Sequence, residues 1–142
     1  MADTTTRQRP GTMRLMDAVT GGYRFPLAAL VSILHRGSGM LMFFLLPFIV
    51  WLFDASLTSE ISFSQFTSVF MAGVGFLPGW FFKLVALALI WSYLHHFIAG
   101  LRHVWMDATH SVGLAFGRQS AVFTLAVSLI LTIALGLKLF FF

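Results

Sequence analysis

Three observations predict an all-α membrane protein with three spanning helices. Of 142 residues, 58% are hydrophobic and only 10% charged. Three long stretches are nearly free of charge, and the basic residues sit in the flanks of alternate connections. A soluble domain carries charge on about a quarter of its residues. With 17 Phe, 4 Trp and 7 Met, this chain has too little polar surface to cover a globule of its size, so its solvent is lipid.

Residues 1–24 are polar, contain Pro10, Gly11, Gly21 and Gly22, and lack the apolar core and cleavage site of a secretory signal, so they read as a cytoplasmic arm. Residues 25–53 form the first span. Their only charge is Arg36, and the 17 residues after it, from Gly37 to Phe53, make about 26 Å of apolar helix. Pro26 suits a first turn, whereas Pro47 within the run predicts a kink.

Residues 54–79 mix Ser, Thr, Asp, Glu, Gly and Pro with no Lys or Arg, as expected of an external loop. The Phe66 to Phe76 part is apolar enough to lie on the membrane surface or extend a helix but too short to cross. Residues 80–106 form the second span, 107–120 a cytoplasmic connection and 121–142 the third span. Basic residues are retained on the cytoplasmic side. Arg7, Arg9, Arg14 and Arg24 in the arm, with Arg102 and Arg118 bounding the second connection, therefore place the amino terminus inside and the carboxyl terminus outside. Lys138 snorkels from the end of its helix.

The pI near 10.4 does not point to nucleic acid. Six charged residues lie in the first 24 positions, and the other eight are scattered with no basic run. Cysteine is absent, so this chain alone can hold no disulfide, thiolate zinc or iron–sulfur cluster, and any metal must rest on histidine.

Ionisable groups within apolar spans are costly, which makes them the first places to look for function. Two clusters stand out. Ser32, His35, Arg36 and Gly39 fall at i, i+3, i+4 and i+7 on one helical face. Arg36 belongs near the cytoplasmic boundary of the hydrocarbon, where a polar pocket stays within reach of water. In the second span, His96, Gly100, His103 and Asp107 share an arc of roughly 60°, while His95 points about 100° away. Gly100 lies one turn from His96 on this face, where a missing side chain lets a flat ligand approach. Neutral imidazole is an axial ligand of haem. Spacing alone leaves simpler readings open: a histidine hydrogen-bonded to a neighbouring helix, Arg36 as a snorkelling anchor, the glycines as packing surfaces, and Arg102, His103 and Asp107 as a solvated helix end.

SILHRGSG at 32–39 and HFIAGLRHVWMD at 96–107, led in by YRFPLAALV at 23–31, resemble the paired signatures of the cytochrome b anchor subunit (C subunit) of succinate dehydrogenase. In that family Ser-x-x-His-Arg-x-[Ser/Thr]-Gly begins the first span and His-x-x-x-Gly-x-Arg-His-x-x-x-Asp lies in the second. The arm departs from the family, with Arg14-Leu15-Met16-Asp17 in place of a Ser-Pro-His-Leu segment.

The resemblance implies one half of a heterodimeric helix bundle enclosing haem b in a bacterial inner membrane. His96 would be one axial ligand of the iron, with the second supplied by the small hydrophobic anchor subunit. His35, Arg36 and His103 would lie near the propionates, Ser32 and Arg36 would line the ubiquinone pocket, and Asp107 would belong to a proton path. A flavoprotein and an iron–sulfur subunit would oxidise succinate, since this chain carries no site for that step. A quinol:fumarate reductase anchor and a haem-free membrane scaffold or transporter component are the alternatives.

Overall fold

A computed structural model describes residues 26–141. The cytoplasmic arm expected over 1–24, with its four arginines, lies outside the described residues.

Five helices follow one another: α1 (Leu27–Phe44), α2 (Leu46–Leu57), α3 (Glu60–Met71), α4 (Gly79–Thr109) and α5 (Leu114–Phe141). Three of them, α1, α4 and α5, are long and apolar enough to cross a membrane. At 18, 31 and 28 residues they extend about 27, 46 and 42 Å. α4 is central, packed on α5 along one side and on α1 along the other.

The first apolar run is divided at Leu45, two residues before the Pro47 at which a kink is expected. Proline offers no N–H to the carbonyl four residues back, and its ring crowds that carbonyl. The ladder therefore breaks just upstream, and Pro47 falls in the first turn of α2. Pro26 caps α1 in an extended conformation, with Leu27 the first helical residue.

The segment expected as an external loop contains α3, started by a reciprocal capping box in which the Ser59 hydroxyl accepts from the Ser62 N–H and the Ser62 hydroxyl from the Ser59 N–H. A tight turn follows, with paired backbone bonds between Val74 and Leu77. Gly73 there has φ 91°, and a Cβ on it would collide with the Leu77 carbonyl, so only glycine fits. At the other end of α4 the connection is shorter than 107–120. Helix α4 continues to Thr109, His110 closes it in the left-handed conformation at φ 53°, and α5 begins at Leu114.

The interior inverts the pattern of a soluble protein. Ser38, Ser92, His95, Arg102, Thr124, Ser128 and Thr132 are buried, whereas Phe43, Phe44, Trp105, Phe123 and many other large apolar side chains are exposed. The apolar core is small, formed by Val31, Ala99 and Ala121 where α1, α4 and α5 meet. Ser92, Thr124 and Thr132 return their hydroxyls to the carbonyl four residues earlier, so they cost little in lipid and let the helices approach closely.

Candidate functional site

The α1–α4 seam brings the two sequence clusters together. The His35 and His96 rings stack at 4.1 Å between centroids with planes 16° apart, and His103 lies against His35 at 5.3 Å, tilted 59°. All three rings are half-buried, at an edge of the seam rather than sealed inside it.

His96 Nδ1 lies 2.9 Å from the His35 carbonyl oxygen. A carbonyl can only accept, so Nδ1 carries the proton, and the lone pair of the neutral ring is on Nε2. The Ser38 hydroxyl donates to the same carbonyl at 2.8 Å and stands 3.3 Å from His96 Nδ1. Ser38 is fully buried. Two groups, the His35 carbonyl and the Ser38 hydroxyl, thus hold the ring, and the carbonyl fixes its tautomer. Metal-binding histidines are ordinarily held this way, with the nitrogen opposite the metal tied to a backbone carbonyl.

Glycines supply the space. A Cβ on Gly39 would stand 2.9 Å from His96 Cε1 and 3.2 Å from Nδ1, closer than side chains pack, so the ring occupies a cradle that alanine would fill. Gly100 faces His35 across the seam, but a Cβ there would sit at an ordinary 3.5 Å from His35 Nε2. The tighter requirement falls on Gly39.

The other expected site residues are not joined to this cluster by hydrogen bonds. Ser32 is half-buried and Arg36 exposed, one turn apart on α1, and neither forms a hydrogen bond or ion pair among the described residues. Asp107 is exposed near the end of α4. No group of three His, Cys, Asp or Glu side chains is arranged to hold a bare metal ion among the described residues.

His95, one residue before His96, is fully buried on the opposite seam. Its Nδ1 is 3.3 Å from the Ser128 hydroxyl of α5, and its ring stacks on Trp91 at 5.5 Å. Its Nε2 is buried with no hydrogen-bond partner among the described residues. Arg102, for which a solvated helix end was one open reading, is buried: its Nε donates to the Ser120 hydroxyl at 2.9 Å and its Nη2 to the Gly117 carbonyl at 3.2 Å. Sequence reasoning passed over Ser38 and placed Gly39 in the first cluster without giving it a role. Their signal was present, since both fall within the same eight-residue motif as His35.

An apolar-surfaced bundle of three spanning helices, with its polar chemistry gathered in a histidine cluster between two of them, defines an integral membrane subunit. The family model described as succinate dehydrogenase/fumarate reductase transmembrane subunit matches residues 5–135, and the chain belongs to that family. It is similar to the succinate dehydrogenase cytochrome b556 subunit of Paracoccus denitrificans, with 30% identity over 141 residues covering 99% of this chain and 98% of that one. The subunit of the same name from Coxiella burnetii (strain RSA 493 / Nine Mile phase I) is 31% identical over 114 residues, covering 80% of this chain and 86% of the other.

Proposed function

We propose that this chain anchors a succinate dehydrogenase in a bacterial inner membrane, carries one half of a haem b site, and helps pass electrons from succinate oxidation to ubiquinone. One observation carries the reading: His96 is held through Nδ1 with its Nε2 lone pair free to ligate, in a cradle that only glycine at position 39 leaves open. The residues present fit the group. Haem b, when bound, supplies a one-electron carrier between the succinate-oxidising subunits and the quinone pool.

The chain's own residues divide the remaining tasks. His96 would hold the iron through Nε2, with a histidine of the small anchor subunit completing the site. His35 and His103, adjacent to His96, together with Arg36 offer donors and positive charge to the propionates, whose removal from water requires such partners. Ser32 and Arg36, one turn apart, reach the ubiquinone headgroup: the hydroxyl and the guanidinium bind its carbonyl oxygens and orient the ring, with Arg36 favouring the charge that develops on reduction. Asp107, exposed at the same end of α4, passes protons to that pocket. The flavoprotein, the iron–sulfur subunit and the small anchor are the partners. The arm and the α4–α5 turn face the cytoplasm, as the basic flanks require.

Purification through a tag on this chain tests the reading. The expected product contains a flavoprotein and an iron–sulfur protein, shows a b-type absorbance and reduces ubiquinone with succinate. A colourless product lacking those subunits would leave a scaffold or transporter component. Reporter fusions test the topology: a periplasm-active reporter should work at position 60 and fail at position 115, and the reverse pattern would invert it.

A further inference from the structure

Arg102 and Arg118 raise a question that the histidine cluster does not answer. Arg102 is nine-tenths buried, and neither arginine forms an ion pair with a carboxylate among the described residues. A buried cation in lipid calls for a counter-charge.

Three cavities encircle the first turns of α5 and share walls. One, of about 680 Å³, runs between α4 and α5 and is lined by Leu101, Arg102, Trp105, Gln119 and Phe123. A second, of about 740 Å³, lies along the outer side of α5 and shares Gln119 and Phe123 with the first while adding Arg118. The third, of about 640 Å³, sits by the α4–α5 turn and has both Arg102 and Arg118 in its wall. Two apolar grooves thus descend along α5 from one cavity bearing two positive charges.

The two grooves face away from the histidine cluster, while the third cavity also reaches the first turn of α1 at Leu27 and Ala28. Leu101 and Trp105 stand about 140° and 180° around α4 from His96, so these grooves open on a different side of α4 from the His96 site. Trp105, Phe123 and Leu114 around them are exposed at 62%, 67% and 96%.

We infer that this is a binding site for one anionic phospholipid. The phosphodiester lies between Arg102 and Arg118, and the two acyl chains follow the grooves on either side of Gln119 and Phe123. The charge comes from the arginines, and the shape, one chamber walled by both arginines and meeting two apolar grooves, is that of a two-chain lipid. Basic pockets between spanning helices near the cytoplasmic boundary select anionic headgroups. Arg102 holds α4 to α5 through Ser120 and Gly117, so lipid bound there also neutralises the charge within that joint. The inference does not depend on the haem or quinone assignments.

The test uses the complete complex, purified through this chain, stripped by detergent washing and incubated with phosphatidylglycerol or phosphatidylcholine before native mass spectrometry. Arg102 variants risk unfolding the joint, so the informative changes are Arg118→Gln, Arg118→Glu and Ala108→Trp, which fills the first groove from its wall. The complex should retain one phosphatidylglycerol per copy of this chain in preference to phosphatidylcholine. Retention should fall roughly fivefold in Arg118→Gln and further in Arg118→Glu, given about 1 kcal/mol per basic residue at an anionic lipid. Ala108→Trp should also lose the lipid. Lys138→Glu, at the far end of α5, should keep it. Equal retention of both lipids, retention insensitive to Arg118 and Ala108, displacement by millimolar inorganic phosphate, or no retained lipid because a neighbouring subunit fills the grooves would each overturn the inference.

Discussion

The two seams of α4 contain the same kinds of side chain and treat them in opposite ways. On the α1 side, His35, His96 and His103 are half-buried, stacked and open along one edge, and their polar groups are only partly used within the chain. On the α5 side, His95 and Arg102 are buried and turned to Ser128, Ser120 and the Gly117 carbonyl. His95 and His96 are neighbours in sequence, and a rotation of about 100° separates a packing histidine from one poised to bind. In lipid, a polar group is either consumed inside its own chain or kept for something outside it. The α5 seam does mostly the first, leaving His95 Nε2 and the charge of Arg102 unmatched among the described residues, and the α1 seam does more of the second.

Perturbing the open seam should cost function, and perturbing the closed seam should cost packing. The largest effect after loss of His96 itself is expected from Arg36→Leu, which on the proposed function removes a charged donor from the quinone. Succinate-driven ubiquinone reduction should fall by about ten- to a hundredfold, while reduction of an artificial acceptor at the soluble subunits continues. Ser32→Ala removes a neutral hydrogen bond and should slow the same reaction by about tenfold or less. Parental rates in both variants would make these residues packing or anchoring groups.

Gly39→Ala sharpens the comparison. Its new methyl meets the His96 ring, an overpacking cost of about 1–3 kcal/mol, so haem content or the line shape of the b-type spectrum should change. Gly100→Ala, with an ordinary contact to His35, should be the milder of the two. The opposite ranking would mean that bound ligand, rather than His35, fills the space over Gly100. Smallest of all, Ser128→Ala removes the partner of His95 Nδ1 and the hydroxyl's bond to the Leu125 carbonyl, each worth about 0.6 kcal/mol in a membrane bundle. Thermal unfolding in detergent should register that slight loss while the b-type spectrum stays as it was.

Much of this was legible in the sequence because lipid makes composition informative. Charge-free runs mark the spanning helices, and a 100° step per residue separates His96 from His95 before any coordinates are consulted. Other features depend on pairing between helices, which periodicity along one chain does not encode. That Gly39 rather than Gly100 bounds the tighter space follows from how closely α1 and α4 approach. Ser38 gains its importance from a carbonyl on its own helix and a ring on another. Arg102 looked like a helix-end residue because the sequence put the start of the third span at 121. Helix α5 begins at Leu114, and its extra turns bring Gly117 and Ser120 to the guanidinium.

The assignment of neighbouring histidines to opposite roles is the centre of this account, and one spectral comparison addresses it directly. His96→Leu and His95→Leu complexes are purified and their reduced-minus-oxidised spectra recorded beside the subunit content. The account predicts that His96→Leu loses or strongly perturbs the low-spin b-type absorbance while His95→Leu largely keeps it. Retention of the signal in His96→Leu with its loss in His95→Leu, both complexes being assembled, would move the ligand to the closed seam and contradict the division between the two.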